Sequence, residues 1–143
     1  MRRLSKFLRL RTPDKLLLLS CAWRLAFVRA ALALAGYRRL SALLRRRLER
    51  PRLRATASQL IWAVGAAARA LPGTACLAQA VTLHYLLARA GQASIIRVGV
   101  AKDQRLPFDA HAWVVCEGRV VMGGDSEALA RYTALTDLQL RPL

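Results

Sequence analysis

The chain is short of acid, histidine, cysteine and aromatic rings. Among 143 residues, 24 Lys and Arg stand against 8 Asp and Glu, a formal charge of +16. Such an excess rules out a self-neutralised surface and points to anionic partners. The three cysteines, Cys21, Cys76 and Cys116, cannot make a fully paired disulfide framework. They suit a reducing cytosol, and a cytoplasmic location is expected. With no Cys-x-x-Cys pair, and with His111 and Cys116 five apart on one strand and so on opposite faces, a zinc site is not expected. No Gly-rich phosphate loop is present, and no cofactor is expected. Aromatics reach only 6%, with no aromatic stripe in the basic region, which weakens a nucleic-acid reading.

Long uninterrupted apolar runs are also missing. The longest, residues 16–37, contains Arg24 and Arg29, so no membrane-spanning helix is expected. Leu18-Leu19-Ser20-Cys21 looks loosely like a lipoprotein cleavage box, but the apolar run before it is too short for a signal core.

Apolar residues nevertheless make up 55% of the chain, ample for one packed domain. Charge divides it in two. Residues 1–54 hold 16 basic and 2 acidic groups, net +14; residues 55–143 hold 8 and 6, net +2. The expected organisation is a basic helical subdomain over 1–54 and a working core over 55–143, integrated in one domain.

Thr12-Pro13-Asp14 reads as a helix start, with Thr12 as cap and Gly36 as stop. Leu16, Leu19, Trp23, Phe27, Ala30 and Leu34 recur every three or four residues and predict the apolar face of that helix. An arginine-dense, partly amphipathic segment follows as far as Pro51. A second helix is predicted over 55–70 and ends at Pro72-Gly73. A third runs from about Ala75 to Ala90, with Thr74 as cap and Gly91 as stop. The period then changes. Residues 94–101, 108–116 and 119–122 read as strands, with Glu117-Gly118 as a hairpin turn, and 126–138 as a short helix. Helices followed by an antiparallel meander make the fold class α+β.

Cys76 falls in the first turn of the third helix, where unpaired N–H groups and the helix dipole favour a thiolate. That placement suits covalent catalysis, although a small buried cysteine is the plainer reading. His84 lies eight residues along the same helix, ~12 Å away, and is expected to be structural. His111, mid-strand in Phe108-Asp109-Ala110-His111-Ala112-Trp113-Val114, is the candidate base. For the group that orients it, Asp125 is favoured over Asp109, given a bulge among residues 122–124. Glu117 reads as a solvated turn residue, and Trp113 as a cleft wall or core residue.

Leu71-Pro72-Gly73-Thr74-Ala75-Cys76-Leu77-Ala78-Gln79-Ala80, Leu86-Leu87-Ala88-Arg89-Ala90-Gly91, Ile96-Arg97-Val98-Gly99-Val100 and His111-Ala112-Trp113-Val114 form a series. It resembles the lasso-peptide leader peptidases, the transglutaminase-like B proteins of lasso-peptide biosynthesis. The resemblance implies a papain-like Cys-His-Asp triad on Cys76, His111 and Asp125. It implies removal of the leader from a ribosomally made lasso-peptide precursor. With no strand-rich front, the chain resembles the split form, which needs a separate leader-recognition protein and works beside an ATP-dependent macrolactam cyclase. The basic front then reads as a docking face for such acidic partners, for an anionic membrane surface, or as a solvated face. Two other readings stand: acyl transfer to an amine on the same fold, and a non-catalytic binder of nucleic acid or membrane.

Overall fold

A computed structural model describes residues 2–50, 52–103 and 109–140. Its order is α1 (Arg2–Leu8), α2 (Thr12–Arg47), α3 (Ala57–Ala70), α4 (Cys76–Arg89), β1 (Ser94–Ala101), β2 (Ala110–Cys116), β3 (Arg119–Met122), α5 (Ser126–Leu129) and β4 (Tyr132–Leu138). The four strands form one antiparallel sheet in the order β3-β2-β1-β4. The α+β class is borne out. Residues 104–107, between the first and second predicted strands, and Phe108 of the predicted second strand lie outside the described residues.

α2 is two arms rather than one rod. Gly36 has φ +74° and ψ 170°, which breaks the helix there, as expected of a glycine stop. Arg24, Phe27 and Val28 of the first arm line one hollow with Leu44 and Arg47 of the second. These residues lie at nearly equal chain distances from Gly36, so the helix folds back on itself. Thr12 is not the cap: Arg11 holds that position, without a side-chain bond, and Pro13 fills the first turn.

The first arm corrects a prediction. Its buried residues are Cys21, Leu25 and Val28, whereas Leu16, Leu19, Trp23, Phe27 and Leu34 are exposed, Trp23 at 75% and Leu34 at 88%. The arm carries two apolar stripes on opposite sides, and periodicity does not say which one meets the core. A second correction follows. α2 contains a window of mean hydropathy 1.7 and is long and apolar enough to cross a membrane, despite its arginines. Gly36 nonetheless breaks it, and Cys21, Leu25, Val28, Leu40 and Leu44 join the core cluster with α3 and α4.

α3 starts at a capping box. Thr56 Oγ1 accepts from Gln59 N–H, and Gln59 Oε1 accepts from Thr56 N–H. α4 is the central helix, with nine of its fourteen residues buried. It ends at Gly91, φ +78°, where Gly91 and Gln92 N–H close onto the Ala88 and Leu87 carbonyls. Glu117 and Gly118 both take positive φ, as the predicted two-residue hairpin requires.

The tail differs from the prediction. Only Ser126–Leu129 is helical; Tyr132–Leu138 is a strand paired with β1. β1 would otherwise be an open edge, and pairing with the tail satisfies its backbone groups.

Candidate active site

Cys76 is the first residue of α4. The cap position before it is Ala75, which offers no side-chain hydrogen bond. Thr74, predicted to cap, turns the other way: its hydroxyl donates to the Leu71 carbonyl at 2.6 Å, and its own carbonyl accepts from Gln79 Nε2. The first-turn amides of α4 thus keep their positive ends without a competing side-chain oxygen. All three cysteines are free thiols, and Cys76 is the one that is not buried. Burial pushes the Cys21 thiol up to about 11. Burial and the Glu117 charge also raise Cys116, whose Sγ–H donates to the Ala93 carbonyl. The half-open thiol therefore heads a helix, and the two enclosed thiols do not.

His111 lies on β2, inside the sheet between β1 and β3. Its Nε2 is 2.5 Å from the Gly123 carbonyl oxygen. A carbonyl only accepts, so Nε2 carries the proton and, in the neutral ring, Nδ1 holds the free lone pair. The ring stacks on Tyr132 at 5.2 Å and on Trp113 at 6.2 Å, each at 25°. Ala112 and Val114 enter the core cluster shared with α4. Strand alternation puts His111 and Trp113 on the other face. Among the described residues, no hydrogen bond joins Cys76 to His111.

The two carboxylates weighed as orienting groups are both engaged elsewhere. Asp125 caps α5, its Oδ1 accepting from Ala128 N–H at 2.8 Å. Asp109 Oδ2 accepts from the Tyr132 hydroxyl at 3.0 Å and pairs with Arg131 at 3.3 Å, so it meets His111 only through the Tyr132 ring. The bond that holds His111 comes instead from the Gly123 backbone, a group that sequence reasoning did not find. The bulge needed to aim this segment exists, one residue earlier than expected: Val114 pairs with Met122 and Val115 with Val120, skipping Val121. Gly123 has φ +109°, and a Cβ there would lie 2.5 Å from Trp113 Cβ. The Gly123-Gly124 pair was the available signal, since only glycine lets this backbone run flush against Trp113.

His84 is structural, as expected. It is buried, its Nε2 accepts from Leu140 N–H at 3.0 Å, and Nδ1–H donates to Ser94 Oγ at 2.7 Å. Burial lowers its pKa to about 4, so it is neutral near pH 7. Among the described residues, no group of three or more metal-ligating side chains occurs.

No curated protein and no solved structure matches the chain. A family match does exist: the transglutaminase-like superfamily pattern covers residues 16–137. That span takes in most of α2, the thiol at the head of α4, and the sheet that carries His111. Members of this superfamily are often cysteine hydrolases or acyltransferases. The chain belongs to the transglutaminase-like superfamily.

Proposed function

We propose that the protein is a cysteine peptidase that removes the leader from a ribosomally made lasso-peptide precursor. The observation that carries the reading is Cys76, a half-open thiol on the first residue of an uncapped, buried helix. In the reaction, the Cys76 thiol gives its proton to His111 Nδ1, and the sulfur attacks the scissile carbonyl. The developing oxyanion takes hydrogen bonds from the first-turn amides of α4. The imidazolium then protonates the leaving amine. Next, the neutral ring takes a proton from water, whose oxygen attacks the thioester and frees the acid and the thiol. In this reading the Gly123 carbonyl keeps the proton on Nε2, which leaves Nδ1 to take the proton of the sulfur. The pairing of Cys76 with His111 is the step this proposal adds: Ala112 and Val114, not His111, face the core shared with α4, so the ring and the sulfur must meet past the Ala110 end of β2 when substrate binds.

The resemblance of the Cys76 and His111 motifs to lasso leader peptidases supports the substrate class. The basic front supports delivery by a separate recognition protein and work beside an ATP-dependent cyclase. The test is a reconstituted reaction of precursor, recognition protein and this chain, read by product mass. A leader ending in a free carboxylate is expected, and it must vanish with Cys76→Ala. An amide product would mean acyl transfer to an amine on the same thioester. Turnover by Cys76→Ala would remove the sulfur from the mechanism.

A further inference from the structure

The two apolar stripes of the first arm of α2 have different fates. One is consumed by the core. The other, Leu16, Leu19, Trp23, Phe27 and Leu34, is exposed, with Leu4 and Leu8 of α1 exposed as well. At 100° per residue those five α2 side chains fall within one narrow sector, and the stripe is ~27 Å long. Lys15 borders one edge of the sector and Arg24 the other. The occupant must therefore be apolar against the stripe and anionic beside it.

A second feature lies at the edge of the stripe. Phe27 also lines a hollow of about 70 Å³ whose wall includes Arg24, Arg47, Arg50 and Arg89 and, among the described residues, contains no carboxylate. These guanidiniums come from both arms of α2, the segment after it, and α4, so the Gly36 fold-back brings them together. Four like charges around a small hollow favour an anion there. An apolar ridge beside an arginine-lined anion hollow matches a phospholipid: acyl chain against Phe27 and Trp23, phosphate among the arginines. The ridge is convex, which a bilayer interface accepts without a complementary groove. A charge of +14 over residues 1–54 favours an anionic leaflet.

We infer that the exposed stripe of α2, with the arginine hollow beside Phe27, seats this protein on the surface of an anionic phospholipid membrane. The helix lies along the interface, because its opposite stripe is locked into the core. The inference does not depend on the peptidase reading.

The test is co-sedimentation of the full chain with vesicles of phosphatidylcholine alone and of phosphatidylcholine with one-third phosphatidylglycerol. Binding to the anionic vesicles is expected, at least ten-fold tighter than to the neutral ones, and weakening as salt rises. Trp23→Gln with Phe27→Gln should cut that binding ten-fold or more. Trp23→Gln alone should weaken binding with thermal unfolding unchanged, since Trp23 is the more exposed of the two and Phe27 also lines the hollow. Arg47→Gln with Arg50→Gln should reduce it several-fold and flatten the salt dependence. Failure to bind, equal binding to both vesicles, or binding untouched by Trp23→Gln with Phe27→Gln overturns the inference. So does a dimer in solution that Trp23→Gln dissolves, which would assign the stripe to a second copy of the chain.

Discussion

The surroundings of the two histidines are built on opposite plans. Around His84 every ring nitrogen is spent, water is excluded, and burial holds the ring neutral with a pKa of about 4. Around His111 one nitrogen is spent on a backbone carbonyl, the ring is only half-buried between Trp113 and Tyr132, and the other nitrogen has no partner among the described residues. The first plan ties the end of the chain to the central helix. The second holds a tautomer and leaves one ring nitrogen without a partner among the described residues. A histidine's chemistry is thus set by how many of its nitrogens the fold consumes, more than by its neighbours in sequence.

Four substitutions test that contrast. The largest effect is expected from Cys76→Ala, which should take leader cleavage to background, ~10³-fold or more, by loss of the covalent step. His111→Gln comes next, with ~10²–10⁴-fold loss of turnover. It should also slow alkylation of Cys76 near pH 7, and an unchanged labelling rate would mean that the ring does not serve the sulfur. Gly123→Ala attacks the holder of the ring. Its Cβ meets Trp113 and its φ is positive, so ~1–3 kcal/mol of stability should be lost, read by denaturant unfolding, along with turnover. If activity survives intact, the carbonyl is not the orienting group.

His84→Gln should affect turnover least; it gives up the Leu140 and Ser94 hydrogen bonds, and its effect on stability changes with pH. The native ring titrates at about 4 against 6.5 for an unperturbed histidine. Its contribution to stability is complete above pH 6.5, declines as pH falls and the unfolded chain takes up the proton, and is gone below about 4. The full swing is ~3 kcal/mol. Urea midpoints between pH 7 and 4 should fall steeply in the wild type and less so in His84→Gln. Parallel curves would mean that His84 is not the group responsible.

Much of the molecule was legible residue by residue. Pro72-Gly73, Gly91 and Glu117-Gly118 end or turn their elements where expected, because a positive φ or a missing N–H acts within a few residues. Cys76 at a helix start and His111 on a strand were readable for the same reason. The caps were less so. Thr12 and Thr74 have the right side chain in the right place, yet one is replaced by Arg11 and the other bonds Leu71. The tail was half legible: Asp125 caps a real helix, but that helix stops after one turn.

The sequence by itself determined the approximate bounds of α3, α4 and the β2–β3 hairpin, which thiol heads a helix, and how charge is shared between the front and the back. Those properties follow from backbone preferences and side-chain chemistry over short distances. Tertiary structure alone decided three other matters: which of α2's two apolar stripes is buried, that residues 132–138 complete the sheet against β1, and that a glycine carbonyl rather than a carboxylate holds His111. Each depends on which surface happens to lie opposite. A backbone oxygen belongs to every residue alike, so the Gly123-Gly124 pair could mark a close backbone approach but not which carbonyl would meet the ring.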